Sequence, residues 1–170
     1  MMLYLLAIIA CVAADQAVKL WVVANLGLYE SAPLIPGVVE LFYIRNTGGG
    51  FSILTEHTWL LTILTALLMI GIAVLLVKKA FPHPLAMWSL TVVIGGGLGN
   101  LIDRVRLGYV VDMFHFTLWP SYPVFNVADI LVVCGVIGFA AYYLLLHDKV
   151  TKKQAPPEED GHGTETTDGQ

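Results

Sequence analysis

Two aspartates stand among apolar residues, and they are the groups in this sequence best suited to acid–base chemistry. Asp112 lies in VVDMF, with no lysine or arginine within three residues on either side. A carboxyl group in that setting tends towards a raised pKa. Asp129 lies in FNVAD, three residues after Asn126 and directly before Ile130. If the two carboxyl groups face each other, they cannot both ionise easily and will share a proton.

A pair of carboxyl groups that shares a proton can hydrolyse a peptide bond. The ionised member deprotonates a water molecule, and the protonated member gives its proton to the leaving nitrogen. The plainer interpretation is that Asp112 and Asp129 are only charged helix ends. Other hydrolytic chemistries lack their motifs, because the five histidines are scattered without zinc-binding spacing and no serine lies in a nucleophile motif. We therefore expect no metal and no cofactor.

Two further polar clusters interrupt apolar segments. Asp15 and Lys19 are four residues apart on one helical face, so they can pair, either as a structural ion pair or as part of a site or a lipid contact. In GGGLGNLIDR (95–104), Asn100 and Asp103 share a face, and Arg104 follows directly. A salt bridge between Asp103 and an arginine would suit a scaffold better than a catalyst, and the glycines would let helices pack closely.

The composition is that of an integral membrane protein. Of the 170 residues, 57% are hydrophobic and 13% are charged, against about one-quarter charged in a soluble domain. The apolar residues form blocks of about 20, the length that crosses a bilayer. The sequence therefore predicts an α-helical membrane protein whose single membrane-embedded domain spans residues 1–153, with four transmembrane helices at 2–25, 58–77, 85–102 and 127–147.

Lysines predict the orientation of these helices. Lys78 and Lys79 lie between the second and third spans, and Lys149, Lys152 and Lys153 follow the fourth. The positive-inside rule places both groups, and both termini, in the cytoplasm. The polar clusters then gather near the extracytoplasmic face. There, VVELFYI (38–44) is β-branched and aromatic and predicts a small sheet or hairpin.

The net charge of −4 comes from the C-terminal segment. Residues 154–170 contain five acidic residues and no lysine or arginine, and we expect a disordered acidic cytoplasmic tail. Without this tail the chain is nearly neutral, so nothing indicates a surface for nucleic acid. We expect no nucleic-acid partner and a monomer.

Five motifs occur in order along the chain, and together they resemble those of the bacterial lipoprotein signal peptidases, the signal peptidase II family. The motifs are DQAVK (15–19), NTGGGF (46–51), GNLIDR (99–104), VVD (110–112) and FNVAD (125–129). The resemblance covers nearly the whole chain, and the last three motifs in this order are highly specific. Three features depart from the usual pattern: Val18 in the first motif, Gly49 and Gly50 in NTGGGF, and Met113 after VVD.

The resemblance implies an aspartyl endopeptidase of the bacterial cytoplasmic (inner) membrane. It implies four helices, a small extracytoplasmic β-sheet cradle and a short extracytoplasmic helix. Such an enzyme cleaves diacylglyceryl-modified prolipoproteins just before the lipidated cysteine, using water activated by an Asp–Asp dyad. Its implied partners are lipid-modified prolipoproteins, membrane lipids and peptide inhibitors such as globomycin.

Motif by motif, the resemblance also assigns roles to residues. It implies that Asp112 and Asp129 are the catalytic pair. Asp15 and Lys19 match the first motif, which is linked to structural integrity. Seven residues match positions associated with support of the site or with the substrate backbone: Asn46, Gly48, Asn100, Asp103, Arg104, Asn126 and Ala128. Two other functions stay open at this point, a small ion-coupled membrane transporter and a non-catalytic lipid-binding membrane subunit.

Overall fold

The computed structural model describes residues 1–48 and 58–154, with side chains described as far as Val150. Four of its helices are long and apolar enough to cross a membrane. A short fifth helix, α5 (His147–Gln154), follows the last of them. The four candidate spans are α1 (Met2–Asn25), α2 (Thr58–Val77), α3 (Pro84–Leu107) and α4 (Val127–Leu145).

The ends of α3 follow from local sequence. His83 precedes the helix, and its Nδ1 accepts a hydrogen bond from the backbone N–H of Leu85 at 3.2 Å. Pro84 occupies the first turn, where its missing N–H costs nothing. The helix stops at Gly108, whose φ of 78° is a left-handed conformation that glycine adopts without steric cost. These signals fix α3 as a 24-residue helix.

Helix α3 is the centre of the bundle and packs against α1, α2 and α4. Gly96 lies against the backbone of Ala128, and Gly97 lies against the side chain of Met69. Because glycine has no Cβ, the neighbouring helices come close to the α3 backbone. Helix α3 is mostly buried, whereas the other three expose apolar side chains on their outer faces, as contact with lipid requires.

A three-stranded antiparallel sheet in the order β1–β2–β3 covers one end of the bundle, which we call the sheet end. Its strands are β1 (Ser31–Ile35), β2 (Val39–Asn46) and β3 (Val110–Phe116). Apolar side chains of the sheet pack with Val22 of α1 in one buried cluster: Leu41, Tyr43, Val111 and Met113. The sheet is thereby fixed to the C-terminal part of α1.

The predicted fold class is confirmed, with differences at the element ends. Helix α3 continues to Leu107, five residues beyond the predicted end of the third span, so Asp103 and Arg104 lie within it. Helix α4 ends at Leu145, two residues before the predicted end, and α5 was not predicted.

The third strand was also not predicted. Only the apolar neighbours of Asp112 were recognised in its segment, yet it pairs with β2 along its length. The short extracytoplasmic helix is not among the described residues. The end of NTGGGF (49–51) and the acidic tail beyond Gln154 lie outside the described residues.

Candidate active site

A cavity of about 220 Å³ opens at the sheet end, between α3, α4 and the sheet. Both isolated aspartates, Asp112 of β3 and Asp129 of α4, line it. The other lining residues are Asn46, Asn100, Arg104, Val110, Tyr122, Pro123, Val124 and Phe125. The structure therefore brings together Asp112 and Asp129, as the sequence predicts, within one pocket of mixed polar and apolar character.

Asp112 is held by two asparagine side chains. It lies on β3 opposite Ile44 of β2 and is 1% exposed. Asn46, at the end of β2, donates from Nδ2 to Oδ2 of Asp112 at 2.8 Å. Asn126 donates from Nδ2 to Oδ1 at 2.6 Å. Each carboxyl oxygen thus has one amide donor, which satisfies a group that is almost entirely buried.

Asp129 is positioned by the start of α4. Asn126 caps the helix, since its Oδ1 accepts from the backbone N–H of Asp129 at 3.0 Å. In return, Oδ2 of Asp129 accepts from the backbone N–H of Asn126 at 3.1 Å, which completes a capping box. Its Oδ1 accepts from Nδ2 of Asn100 at 2.8 Å. FNVAD therefore serves both as a helix-start signal and as a means of aiming one carboxyl group into the cavity.

Burial governs the protonation of Asp112. Removal from water, and then the charge of Asp129, raise the pKa of Asp112 to about 7. Hydrogen bonds from Asn46 and Asn126, together with the positive charge of Lys19, oppose this rise. A carboxyl group with a pKa near neutrality can hold a proton or release it under physiological conditions, which suits acid–base chemistry.

Lys19 lies behind the cavity and is 3% exposed. Its ammonium contacts Oδ2 of Asp15 at 2.9 Å and Oδ2 of Asp103 at 3.0 Å. Its third partner is Oδ1 of Asn100 at 2.9 Å. An ammonium has three N–H donors, so Lys19 is fully satisfied. The expected pairing of Asp15 with Lys19 is present, and Asp103 pairs with this lysine of another helix rather than with an arginine.

Asp15 and Asp103 each bind the backbone directly before one of the cavity aspartates. Oδ1 of Asp15 accepts from the N–H of Ala128 at 2.9 Å, and Oδ2 of Asp103 accepts from the N–H of Val111 at 3.1 Å. Ala128 precedes Asp129, and Val111 precedes Asp112. The two acidic residues thus fix the backbone of both elements relative to α1 and α3.

Gln16 belongs to the same cluster, and no role was predicted for it from the sequence. Its Nε2 donates to Oδ1 of Asp103 at 2.9 Å and to the carbonyl of Gly99 at 3.2 Å. It also donates to Oδ2 of Asp15 at 3.2 Å. The available signal was a further polar residue between Asp15 and Lys19 in an apolar helix. Gly99 leaves the necessary room, because a Cβ there would lie 2.5 Å from Oδ2 of Asp15.

Two other predicted site residues are Gly48, which does not line the cavity, and Arg104, which does. Gly48 donates its backbone N–H to Oδ1 of Asn46 at 2.9 Å, so it acts through that asparagine. Arg104 lines the cavity, and within the described part of the chain it forms no ion pair and its buried Nε has no hydrogen-bond partner. Residues 1–48 and 58–154 contain no group of three metal-ligating side chains that could hold a metal ion.

Known proteins are similar to this chain in sequence and in fold. Residues 7–146 match the family model described as signal peptidase (SPase) II. Two proteins named lipoprotein signal peptidase, from Streptococcus pyogenes serotype M5 (strain Manfredo) and serotype M1, are each 43% identical to the chain over 138 residues. These matches cover 79% of this chain and 88% of each relative.

Two solved structures, both described as bacterial membrane enzymes obtained by the in meso method, have the same fold. The one at 2.3 Å resolution has a TM-score of 0.80 and 27% identity, and the match covers 92% of this chain and 94% of that one. The one at 1.9 Å resolution has a TM-score of 0.78 and 27% identity, over 85% and 94%. The family model spans well over half of the chain. The chain therefore belongs to the signal peptidase II family.

Proposed function

We propose that the chain is an aspartic endopeptidase in which Asp112 and Asp129 are the catalytic residues. One observation carries this proposal: both carboxyl groups line one cavity and are bound by the same residue, Asn126. The Nδ2 of Asn126 donates to Asp112, and its backbone N–H donates to Asp129. This geometry supports a pair that carries a single proton between its members.

The proposed reaction uses the pair first as a base and then as an acid. The ionised carboxylate takes a proton from a water molecule, whose oxygen attacks the scissile carbonyl carbon. The other carboxyl group, protonated at the start, gives its proton to the leaving nitrogen as the C–N bond breaks. The pair ends with one proton, as it began. The near-neutral pKa of Asp112 supports this cycle.

We further propose that the substrates are diacylglyceryl-modified prolipoproteins, cleaved just before the lipidated cysteine. The names of the Streptococcus pyogenes relatives support lipoprotein precursors as the substrate class. The position of the cavity also supports it, since the cavity lies at the end of a bundle of apolar helices. A peptide bond next to a membrane-embedded lipid anchor would lie at the same depth in the membrane as the cavity.

The proposed location is the bacterial cytoplasmic membrane, with the sheet end on the extracytoplasmic side and both termini in the cytoplasm. Lys78 and Lys79 at the end of α2, and Lys149 in α5, lie at the end of the bundle opposite the sheet. We also propose that residues 1–153 act as one domain and one monomer, and that cyclic peptides of the globomycin type occupy the cavity.

The test uses isosteric substitutions that remove one ionisable group each. Asp112→Asn and Asp129→Asn are expected to abolish cleavage of a purified lipidated precursor while the protein still inserts in the membrane. Asp148→Asn is the matched control, because Asp148 is an exposed residue of α5 far from the cavity. Cleavage near the control rate by either cavity variant would overturn the proposal.

The Asp103→Asn variant tests whether Asp103 is a catalytic residue or a residue that supports the fold. Asp103 faces Lys19 and the backbone of Val111, and it does not line the cavity. We expect this variant to lose thermal stability together with activity. A fully stable but inactive Asp103 variant would move Asp103 into the catalytic pair.

A further inference from the structure

Three asparagine side chains surround the two cavity aspartates, and the orientation of each amide matters. An amide offers donors at its nitrogen and acceptors at its oxygen. With the nitrogen towards a carboxylate it stabilises the ionised form, and with the oxygen towards it the two would repel. Asn46, Asn100 and Asn126 all present nitrogen to an aspartate.

Two of these amides are oriented by the backbone. Oδ1 of Asn46 accepts from the N–H of Gly48, and Oδ1 of Asn126 accepts from the N–H of Asp129. A backbone N–H can only donate, so the amide oxygen of each asparagine must face that N–H. The nitrogen of each amide then points to Asp112. No side-chain substitution removes either contact directly.

Asn100 is oriented differently, by side chains. Its Oδ1 accepts from Nζ of Lys19 at 2.9 Å and from Nδ2 of Asn126 at 2.9 Å. The Asn126 amide is neutral, and its Nδ2 also donates to Asp112. Lys19 is therefore the charged donor on Asn100, and hydrogen bonds from a charged donor are roughly twice as strong as neutral ones. Lys19 itself is held in place by Asp15 and Asp103.

We propose that Lys19 is a positioning residue of the reaction: by holding the Asn100 carbonyl, it keeps the Asn100 nitrogen donating to Asp129. This inference rests on the proposed catalytic pair. Lys19 touches neither Asp112 nor Asp129; its charge reaches the pair from a distance, and its hydrogen bonds reach the pair through the Asn100 amide. It also polarises that amide, because a donor on the carbonyl oxygen strengthens the N–H on the other side.

The effect of Lys19 must be separated from its charge and from its support of the fold. Lys19→Met alone would leave Asp15 and Asp103 buried without a cation, and such a protein is at risk of not folding. The double variant Asp15→Asn/Lys19→Met keeps the cluster at one net negative charge, as in the parent chain. Asn at position 15 also retains an oxygen for the N–H of Ala128. The single variant Asp15→Asn shows what that change does alone.

The first readout is the pH profile of kcat/KM on a lipidated precursor. The charged groups that act on the pair are Asp15 and Lys19 from α1 and Arg104 from α3, and Asp103 of α3 lies beside Lys19 and Arg104. A carboxylate that loses a held donor keeps its proton to higher pH, so we expect the acidic limb of the double variant to move up by about half to one pH unit. Loss of the Lys19 charge acts in the same direction, so the amide signal described next distinguishes the two effects. An unchanged profile with a lower kcat would make Lys19 purely structural and would overturn the proposal.

A second readout does not need activity. In protein with ¹⁵N-labelled asparagine, the Asn100 side-chain amide signal follows the titration of the pair in the parent chain. In the double variant we expect the Asn100 signal to lose this pH response, while the Asn126 signal keeps it, because the backbone orients Asn126. A retained Asn100 response would refute the inference even for an inactive variant.

These outcomes are distinct from those that test the catalytic pair. If Asp112 and Asp129 are not the catalysts, their Asn variants still cleave. If only the positioning role of Lys19 is wrong, those variants are inactive and the Asn100 signal of the double variant keeps its pH response.

Discussion

Replacing Asp112 by asparagine should make the protein more stable relative to the parent as pH rises from about 4 to 7, while it abolishes cleavage. The pKa of this carboxyl group rises from an ordinary 3.8 to about 7 on folding, chiefly through burial. Below pH 3.8 the group is protonated in the folded and unfolded states, so it contributes nothing to the pH dependence. Between 3.8 and 7 the folded state binds more protons, so the free energy of unfolding falls as pH rises.

The size of this effect follows from the shift. About three pH units at roughly 1.4 kcal/mol each give a loss of about 4 kcal/mol across the window. Asparagine at position 112 carries no charge at any pH, so the variant does not show this loss of unfolding free energy. Its altered hydrogen bonds to Asn46 and Asn126 add a term that does not vary with pH. The pH-dependent part of the difference therefore isolates the carboxyl group.

The assay is denaturant unfolding in mixed micelles, followed by tryptophan fluorescence at several values between about pH 4 and pH 8. The difference in unfolding free energy, Asp112→Asn minus parent, should increase with pH by up to about 4 kcal/mol and level off above pH 7. A difference that is flat across the range would refute the reasoning, because the carboxyl group would then ionise in the folded protein as readily as in water.

Two further variants test how the site is supported. Gly99→Ala places a Cβ 2.5 Å from Oδ2 of Asp15, so we expect a loss of about 1–3 kcal/mol in unfolding free energy and a parallel loss of cleavage; parent-like stability would show that the cluster adapts. Tyr142→Phe removes a buried hydroxyl that contacts Nδ1 of His147 at 3.3 Å, at the end of the bundle opposite the cavity. It should cost about 1 kcal/mol of stability and leave kcat/KM unchanged, which thermal unfolding and the precursor assay would check.

Local patterns predicted much of the site. The four-residue spacing of Asp15 and Lys19 predicted their ion pair, because residues at that spacing share a helix face. The apolar neighbours of Asp112 predicted its raised pKa, and FNVAD predicted that Asn126 and Asp129 share the start of a helix. In each case the interaction depends on residues that are close together in the sequence, so it could be predicted from the sequence.

Contacts between segments that are distant in the sequence could not be predicted from it. The choice of Lys19 rather than an arginine as the partner of Asp103 depends on how α1 packs against α3. Arg104 adjoins Asp103 in sequence, but neighbours on a helix point in different directions. Strand β3 was missed for the same reason, since its pairing with β2 joins distant segments. The orientation of the Asn100 amide depends on three helices at once.

Two contacts that hold the cavity aspartates join distant parts of the chain, and this has a consequence for biogenesis. Asp15 and Ala128 are 113 residues apart, and Asn46 and Asp112 are 66 apart. Contacts at such separations form late, because the intervening chain must first be ordered. On the proposed function, a nascent or half-inserted chain has no catalytic pair and cannot cleave its neighbours in the membrane. On this proposal, completion of the fold is the step that forms the catalytic pair and switches the peptidase on.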